Sequence, residues 1–448
     1  MRRTALALIL IFACLFLMLA EVVVVASTKE NTWEILAPLP ETGSEMRAAA
    51  ANGKIYVMSG SRNFEYDPKL NEWTTKTPMP SPRKWFDIAV YQNKIYTIGG
   101  ILGFDEENEI IISNAIEVYD PSTDTWKILS PMPINTSAVD ACVVNGKIYL
   151  IGGFNLQFPS LSTNVNVVYD IVRDSWTNKT AMPYPAYDYS GVFDNKIYII
   201  GGLGSSLSNR TQIYDTETDS WSLGAPIPTP VYNAAVGATT GVMAPRKIYV
   251  IGGTTGEGGM FAESMNLVQV YDPKDNTWAV GEPMPTARLG LIVAVLDDQI
   301  YAIAGMPQMA FSPWLTTNER YTPFGYGTPD PTYDGTAPEI TLKSPKNETY
   351  YGPSIRLEFS VNERVSWIGY KLDNETIVEI TGDTTVSGLS FGSHTLIIYA
   401  TDTSGNNGAS ETVFFSVAEF PVVLLTAGVT VVAVVGAGLL VYFKKRKR

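Results

Sequence analysis

The chain has 448 residues, of which 45% are hydrophobic and only 17% are charged, so it can bury a large core and is neither disordered nor a highly charged coiled coil. Its 37 Gly, 28 Pro, 24 Tyr and 9 Trp residues favour a β-rich fold with many turns. The formal charge of −13 disfavours nucleic-acid binding, and the single histidine, His394, excludes most multi-histidine metal sites and disfavours histidine-dependent catalysis.

The N-terminus predicts a secretory signal peptide over residues 1–26. Two arginines precede the uncharged stretch Thr4–Ala20, and modest or small residues lead to a cleavage point after Ala26. An uncleaved anchor helix is the alternative, and Glu21 inside the apolar stretch argues against it. Once the signal is removed, Cys142 is the only cysteine, so we expect no intramolecular disulfide and a small core residue at that position.

A repeated pattern dominates residues 27–325. An Ile-Tyr pair followed by two glycines occurs in four complete copies, and two degenerate copies have Ser or Ala in place of the first glycine. Each copy is a short strand of β-branched and aromatic residues that enters a turn suited to glycine. The copies recur every 40 to 53 residues, which indicates an array of similar units; their second glycines are Gly60, Gly100, Gly153, Gly202, Gly253 and Gly305.

A second signature is a tyrosine followed seven residues later by a tryptophan. An aspartate follows each of these tyrosines, and a proline-rich turn such as Pro78-Met79-Pro80 follows each tryptophan. At this constant spacing we expect the tyrosines and tryptophans to be structural core; the complete pairs are Tyr66 and Trp73, Tyr119 and Trp126, Tyr169 and Trp176, Tyr214 and Trp221, and Tyr271 and Trp278.

The two ends of the array are incomplete in complementary ways. Tyr321 has no tryptophan seven residues later, and Trp33 has no tyrosine seven residues earlier. We therefore predict that the strand bearing Trp33 is the outermost strand of the unit that contains Tyr321. The N-terminal strand would then close the array into a ring.

The glycine doublets, tyrosines and tryptophans resemble those of the kelch repeat, over about residues 30–325. The resemblance implies a β-propeller in which each repeat is a four-stranded blade. Physical reasoning also requires closure, because one blade cannot bury both of its faces alone. We predict an all-β fold: a six-bladed kelch β-propeller, followed by an immunoglobulin-like β-sandwich and one C-terminal transmembrane helix.

The region after the array predicts a linker and a second β domain. Residues 326–338 are rich in Gly, Pro, Thr and Asp, as linkers are. Residues 339–417 contain six short alternating runs separated by turns, which favours a β-sandwich. Residues 388–395 and 400–406 resemble the immunoglobulin-like domains of prokaryotic surface proteins. The resemblance implies a spacer stalk.

The C-terminus predicts a membrane anchor. Residues 421–443 are uncharged and would span about 35 Å as a helix, and a basic tail over residues 444–448 follows at once. A buried core helix is the alternative, and it does not explain the basic stop. Basic residues flanking a span stay in the cytoplasm, so we expect a single-pass protein of the cell membrane whose N-terminal portion is extracellular.

Two further features belong to this outward-facing portion. Glu419-Phe420-Pro421 is similar to archaeal C-terminal sorting signals, which begin Pro-Glu-Phe, whereas this chain has Ala418. Whether the tail is retained or processed therefore stays open. Asn-x-Ser/Thr sequons make five asparagines glycosylation candidates, namely Asn135, Asn178, Asn209, Asn347 and Asn374.

Catalytic signatures are missing from the sequence. It contains no P-loop, no Gly-x-Ser-x-Gly and no Cys-x-x-Cys motif. The kelch-class copper-radical oxidases need histidine ligands and a Cys–Tyr crosslink, and residues 27–325 contain no histidine. We predict no enzyme, no cofactor and no metal, although a kelch isomerase or lyase that uses Tyr, Arg and Glu remains an alternative.

Two groups of residues are candidates for binding. The long loops between the second and third strands of the blades carry aromatic tips, which form a contact surface or, alternatively, fold over neighbouring blades and seal the ring; they are Phe104, Phe154, Phe261, Phe311 and Trp314. Residues at similar offsets after the proline-rich turns are predicted to line the mouth of the central channel; they are Arg83, Trp85, Tyr187, Asp188, Tyr232, Asn233 and Arg288. Arg47 lies off that register and is a weaker candidate.

The function predicted from these features is binding at the cell surface. The propeller would recognise an extracellular protein or a glycan, as adhesion proteins do, without catalysis. A structural component of the cell envelope is the first alternative, and a kelch-type carbohydrate isomerase or lyase is the second.

Overall fold

A computed structural model describes residues 29–107, 109–134, 137–155, 161–171, 173–186, 190–204, 206–256, 262–308, 313–330, 335–373, 375–402 and 406–419, with the backbone alone at 154, 155 and 161. The predicted signal peptide (1–26), membrane span (421–443) and basic tail (444–448) lie outside these ranges. Across the described ranges the regular elements are β-strands, and no helix there is long and apolar enough to cross a membrane.

Six four-stranded antiparallel sheets form the blades of a propeller. The chain begins with β1 (Thr32–Ile35). Blade 1 follows as β2 (Arg47–Ala51), β3 (Lys54–Ser59), β4 (Arg62–Asp67) and β5 (Glu72–Thr75). Blade 2 has β6 (Asp87–Tyr91), β7 (Lys94–Ile98), β10 (Ile116–Asp120) and β11 (Thr125–Ile128), with an inserted hairpin of β8 (Ile101–Phe104) and β9 (Ile110–Ile112).

The remaining blades repeat this order. Blade 3 has β12 (Asp140–Val144), β13 (Lys147–Ile151), β16 (Asn166–Asp170) and β17 (Ser175–Asn178), with an inserted pair of β14 (Phe154–Asn155) and β15 (Leu161–Ser162). Blade 4 has β18 (Ser190–Phe193), β19 (Lys196–Ile200), β20 (Thr211–Asp215) and β21 (Ser220–Gly224). Blade 5 has β22 (Ala235–Ala238), β23 (Ile248–Ile251), β24 (Val268–Asp272) and β25 (Thr277–Val280). Blade 6 has β26 (Ile292–Leu296), β27 (Gln299–Ile303) and β28 (Asn318–Thr322), completed by β1.

The N-terminal strand closes the ring. Strand β1 pairs antiparallel with β28, and Trp33 lies opposite Tyr321. Blade 6 also packs on blade 1, where Ile292 and Tyr301 share one apolar cluster with Phe64. Five further apolar clusters join the remaining five pairs of neighbouring blades. The predicted closure of six blades by the strand bearing Trp33 is confirmed.

The repeated Tyr–Trp pair holds five of the six blades to the preceding one. In blade 4 the Tyr214 hydroxyl donates to Asp219 Oδ1 (2.6 Å), which also accepts the backbone N–H of Thr180 (2.9 Å). The indole of Trp221, 5.0 Å from the Tyr214 ring, donates to the carbonyl of the same Thr180 (2.8 Å). We call this arrangement the inter-blade clamp. Four other blades clamp the preceding one through Ala37, Thr77, Ala225 and Glu282.

Tyrosines and tryptophans of the pairs differ in burial. The six tyrosines are buried, whereas the six tryptophans lie on the outermost strands and are only half-buried. The predicted core role therefore holds fully for the tyrosines. For the tryptophans the outer edge of the blade leaves one side of the ring in solvent. The indole N–H donates to the preceding blade in every pair except that of Trp176, whose Nε1 has no hydrogen-bond partner among the described residues.

The glycine doublets place two strands in close contact. Gly100 has a φ of 100°, and a Cβ atom built there would lie 2.6 Å from the carbonyl oxygen of Lys84 and 2.9 Å from Phe86. A side chain at this position would collide with the segment that leads into the innermost strand. Only glycine combines the positive φ with this approach.

The C-terminal region forms two sheets around a separate core. One sheet has β29 (Ile340–Ser344), β31 (Ser354–Val361) and β34 (Thr384–Ser387). The other has β30 (Thr349–Tyr351), β32 (Val365–Leu372), β33 (Val378–Glu379), β35 (Gly392–Asp402), β36 (Asn407–Ala409) and β37 (Val413–Ala418). Leu357 from the first sheet and Leu396, Ile398 and Phe415 from the second share one buried cluster, as in a β-sandwich.

The segment after β28 lies against blade 5. Gly327 donates its N–H to the carbonyl of Met243, and Asp330 pairs with Lys274 at 2.9 Å. A further ion pair joins Arg173 in the β16–β17 turn to Glu379 in β33 at 2.8 Å. Turns of blade 5 therefore contact the segment after β28, and the β16–β17 turn of blade 3 contacts the C-terminal region.

Candidate binding face and central channel

The strand order divides the propeller into two faces. Within each blade the chain runs from the innermost strand to the outer strands, and successive strands are antiparallel. The innermost strand therefore begins on the same face that carries the loop between the second and third strands. We call this the upper face. The lower face carries the turns after the first and third strands, among them the β4–β5 turn (residues 68–71) and the β16–β17 turn that contacts the C-terminal region.

A ring of residues with left-handed backbone marks the channel mouth on the upper face. Each lies two positions before an innermost strand, and the φ values of the described members run from 50° to 60°. The ring is partly linked by its own backbone, because Ala138 N–H donates to Trp85 O (2.9 Å) and Gly290 N–H donates to Asn233 O (2.7 Å). Its members, which we call the mouth ring, are Glu45, Trp85, Ala138, Asn233 and Gly290; the corresponding position in the sequence of blade 4, Asp188, lies outside the described residues.

Inside the mouth, the first residues of all six innermost strands line a cavity of about 140 Å³, which we call the channel cavity. They are Arg47, Asp87, Asp140, Ser190, Ala235 and Ile292. Four consecutive blades thus contribute polar groups and the other two contribute apolar groups. Within the part of the chain that the structure describes, no group of three or more His, Cys, Asp or Glu side chains is placed to hold a metal ion.

The acidic side of the cavity contains two carboxyls and one guanidinium. Arg47 Nε lies 3.0 Å from Asp87 Oδ1, and the other Asp87 oxygen accepts the backbone N–H of Ala141 (2.6 Å). Burial raises the pKa of Asp87 in spite of Arg47. Burial and the nearby Asp87 raise the pKa of Asp140 well above its usual range, against a hydrogen bond from Ser190. Cys142 contacts the Ser190 hydroxyl, and burial raises the pKa of its thiol.

Arg83 and Arg288 do not line the mouth. Both side chains are fully buried inside their blades, where Arg83 pairs with Glu117 at 2.6 Å and Arg288 pairs with Glu319 at 2.9 Å. Arg83 also donates to the carbonyl and hydroxyl of Thr97. The structure thus corrects the interpretation of both arginines as channel residues, because each compensates a buried carboxylate of its own blade.

The other repeats support this structural role. The positions of Glu117 and Glu319, two residues before the repeat tyrosine, are Gln212 in blade 4 and Gln269 in blade 5, where no arginine is present. Gln269 bonds both the N–H and the carbonyl of Thr229 (2.9 Å each), and Gln212 bonds Tyr184 in the same way. In blades 4 and 5 a neutral amide therefore replaces the ion pair, whereas blades 1 and 3, which also lack the arginine, have the apolar residues Phe64 and Val167 at this position.

Arg47, the weaker candidate in the sequence, is the arginine that reaches the channel. The register that identifies it starts from the apolar residue within each proline-rich turn. Eight positions after Leu39, Met79 and Met132 stand Arg47, Asp87 and Asp140. Sequence reasoning missed Asp87 and Asp140, although this offset was available to find them.

A hairpin on the upper face of blade 2 exposes apolar side chains. Strands β8 and β9 pair with each other, and Ile101 bonds the backbone of Lys84, next to Trp85 of the mouth ring. Phe104 is 64% exposed, and Trp85 is 37% exposed. Together with the exposed Leu102 and Ile111 they form what we call the hairpin patch, whose described residues at the β8–β9 turn are acidic: Asp105, Glu106, Glu107 and Glu109.

The remaining predicted residues fall in different places. Tyr232 and Asn233 are half-buried next to the mouth, and Trp314 is half-buried against the mouth-ring residue Gly290. Outside the described residues lie Tyr187, Asp188, Phe261 and Phe311, the side chain of Phe154, and the sequons at Asn135 and Asn374. The three described sequon asparagines are exposed, namely Asn178, Asn209 and Asn347; their glycosylation stays a prediction.

These features define a six-bladed β-propeller, and comparisons with known proteins support a propeller of the kelch kind. A family model described as the KLHDC2/KLHL20/DRC7 Kelch-repeats domain matches residues 101–305. A solved structure titled "Structure of YjhT" is similar to the chain with a TM-score of 0.55 and 17% sequence identity, over 64% of this chain and 96% of that one. At that identity the likeness concerns the fold alone.

Curated relatives match less than half of the chain. Human "Kelch repeat and BTB domain-containing protein 12" is 28% identical over 44% of this chain and 26% of the relative. "Kelch-like protein 15" of Danio rerio is 29% identical over 46% of this chain and 36% of the relative. "Kelch-like protein terF" of Aspergillus terreus is 28% identical over 44% of each. The chain therefore spans between a quarter and a half of the length of these relatives.

Proposed function

We propose that this protein is a binding protein whose kelch propeller recognises another protein through the upper face. The observation that carries the proposal is the hairpin patch, where Leu102, Phe104 and Ile111 are exposed beside Trp85 of the mouth ring. Exposed large apolar and aromatic side chains grouped on one short hairpin are typical of protein interaction sites. The similarity to kelch-like proteins supports a propeller that binds proteins.

The charge of the hairpin patch suggests the chemistry of the partner. Asp105 Oδ1 accepts the backbone N–H groups of Glu107 and Glu109 (3.0 and 2.8 Å), which fixes the acidic turn in one conformation. A partner segment with apolar residues flanked by Lys or Arg would complement both the apolar strands and this turn.

The location of the protein belongs to the same proposal. We propose a single-pass protein of the cell membrane with the propeller outside the cell and the β-sandwich as an immunoglobulin-like stalk. The uncharged run at residues 421–443 with its basic tail supports the anchor. The contact of Arg173 with Glu379 supports the orientation, because the C-terminal region then approaches the lower face and the upper face points away from the membrane.

Selection of peptides by the full chain tests the proposed binding. A random peptide library is selected on the unsubstituted protein, and the enriched peptides are measured on Leu102→Ser/Phe104→Ser and on Leu70→Ser. Leu70 is 66% exposed on the lower face and is the matched control. We expect basic, apolar peptides that lose at least tenfold in affinity on the double variant alone. Equal affinity for all three proteins, or ligands found only on a parallel glycan array, would contradict the proposal.

Catalysis in the channel is a second candidate, favoured by one observation. Asp140 is a buried carboxyl with a raised pKa beside a guanidinium, which is a combination that carbohydrate isomerases and lyases use for proton transfer. Incubating the full chain with a panel of reducing sugars and uronates, followed by NMR in D₂O, tests it. Exchange or elimination that is lost in Asp140→Asn would favour catalysis over binding.

A further inference from the structure

The channel cavity has an unbalanced charge. Arg47 is engaged with Asp87 through Nε and also donates to the Met46 carbonyl (2.9 Å). Both oxygens of Asp87 have partners, namely Arg47 and the Ala141 N–H. Asp140 is the second carboxyl on this wall, so the two carboxyls outnumber the one guanidinium when both are ionised.

Asp140 is the group without a full set of partners. Its residue is only 9% exposed and lines the cavity, and its Oδ2 has no hydrogen-bond partner among the described residues. A buried carboxylate oxygen without a partner costs free energy, so Asp140 must take up a proton or meet a cation. Burial and the nearby Asp87 raise the pKa of Asp140, which favours uptake of a proton when no cation is bound.

The opposite wall restricts the kind of cation. Leu291, Ile292, Val293 and Val236 face the carboxyls across the cavity. An inorganic ion would leave that wall without contacts, and no described acidic cluster is arranged as a metal site. A cationic head on a short aliphatic chain would satisfy both walls, and about 140 Å³ holds several groups the size of a water molecule, whose share of liquid volume is about 30 Å³.

We propose that the channel cavity binds a primary ammonium group carried on a short aliphatic chain, with Asp140 as its counter-ion. The ammonium donates to the unpartnered Asp140 oxygen, and the alkyl chain packs on Ile292 and Val293. This site lies one or two residues inside the mouth ring, about 3–7 Å along an extended strand, within reach of a lysine side chain from a protein on the upper face. A free alkylamine offers the same chemistry.

Calorimetry on the full chain tests the site with n-butylammonium, and n-butanol serves as its neutral analogue. We expect saturable binding of the amine, with butanol at least tenfold weaker. Asp140→Asn should lose at least tenfold in affinity, whereas Glu72→Gln, which removes the same charge from the exposed outermost strand β5, should leave the affinity unchanged. Equal binding of amine and alcohol, or an unchanged affinity in Asp140→Asn, would overturn the proposal.

Proton release tests the same site in the unsubstituted protein, so a misfolded variant does not decide the outcome. Binding requires ionised Asp140, and the charged or titratable groups on the strands around it are Asp87, Arg47 and Cys142. Below the raised pKa of Asp140, the amine should release close to one proton per site, measured in two buffers of different ionisation enthalpy. Its affinity should then increase with pH. Binding without proton release, and with an affinity that does not change with pH below the folded pKa of Asp140, would overturn the proposal.

An experiment with peptides distinguishes the two sources of the ammonium group, which are a lysine of a protein partner and a free alkylamine. For a peptide selected on the upper face, replacement of a lysine by norleucine should lower the affinity at least tenfold, and butylammonium should compete, if a partner lysine is the ligand. If a free amine is the ligand, butylammonium binds and the peptide keeps its affinity. The small amine is measured without any peptide, so this inference stands or falls separately from the proposed protein binding.

Discussion

The indole Nε1 of Trp33 donates a 2.8 Å hydrogen bond to the backbone carbonyl of Glu282, although 249 residues separate the two in the chain. Asn31 completes the contact, because its Oδ1 accepts both the Glu282 N–H (3.0 Å) and the Tyr321 hydroxyl (2.5 Å). The N-terminal segment therefore pairs with β28 within blade 6 and clamps that blade to blade 5. This segment therefore contributes to ring closure together with the apolar cluster between blades 6 and 1.

Removal of the Trp33 side chain should weaken the closure. We expect Trp33→Ala to lower the free energy of unfolding by about 3 kcal/mol, because a half-buried ring packed against Tyr321 and one hydrogen bond are lost. Trp33→Phe keeps most of the ring contact and should cost about 1 kcal/mol. Urea unfolding of the full chain measures both, and an unchanged stability in Trp33→Ala would contradict the closure.

The buried ion pair of blade 2 should respond differently to single and double substitution. Arg83→Val leaves Glu117 buried without its guanidinium and should lower the free energy of unfolding by about 3–5 kcal/mol. The double variant Arg83→Val/Glu117→Gln reproduces the Val231 and Gln269 pair of blade 5 and should recover most of that loss. Equal destabilisation in the single and double variants would contradict the inference that a glutamine at position 117 needs no arginine at position 83.

The channel carboxyl should make stability depend on pH. Burial raises the pKa of Asp140, so the folded state holds this proton more tightly than the unfolded state does. As the pH rises from the unfolded pKa, about 3.9, to the raised folded pKa, the unfolding free energy of the unliganded protein should therefore decrease. The slope should be at most about 1.4 kcal/mol per pH unit. Asp140→Asn should flatten this decrease and be the more stable protein at pH 7. A parallel pH profile for the two proteins would contradict the assignment.

His394 should titrate above its ordinary range. Burial alone would lower its pKa, but the Ser390 carbonyl (2.9 Å from Nε2) and the Asp373 carboxylate (2.8 Å from Nδ1) outweigh burial and raise it. The stabilisation is complete below the unfolded pKa of about 6.5 and is lost as pH rises through the folded pKa. Because His394 is the only histidine, one NMR titration measures it, and Asp373→Asn should lower the pKa. A pKa below 6.5 in the unsubstituted chain would contradict the geometry.

Ring closure was predictable because its signals are repeated and local. Tyr214, Asp219 and Trp221 form their clamp within eight residues of sequence, so the spacing records the contact directly. The missing partners of Trp33 and Tyr321 then indicated how the two ends meet, and the structure pairs them.

The channel residues were harder to predict because they meet only after six blades close. Arg47, Asp87 and Asp140 lie about 45 residues apart, and each one alone has the sequence context of an ordinary strand residue. Arg83 seemed a channel residue from its offset alone, whereas its function depends on Glu117 in another strand of the same blade. Comparing Glu117 with Gln212 across the repeats would have revealed that dependence.

Hydrogen exchange of the full chain with a peptide selected on the upper face tests the central claim most directly. The account predicts slower amide exchange in residues 101–112 of the β8–β9 hairpin and in the segment of Trp85 when the peptide is bound. The β4–β5 turn at residues 68–71, on the lower face, should be unchanged. Protection confined to the lower face or to the C-terminal sandwich, with the hairpin unaffected, would contradict recognition through the upper face.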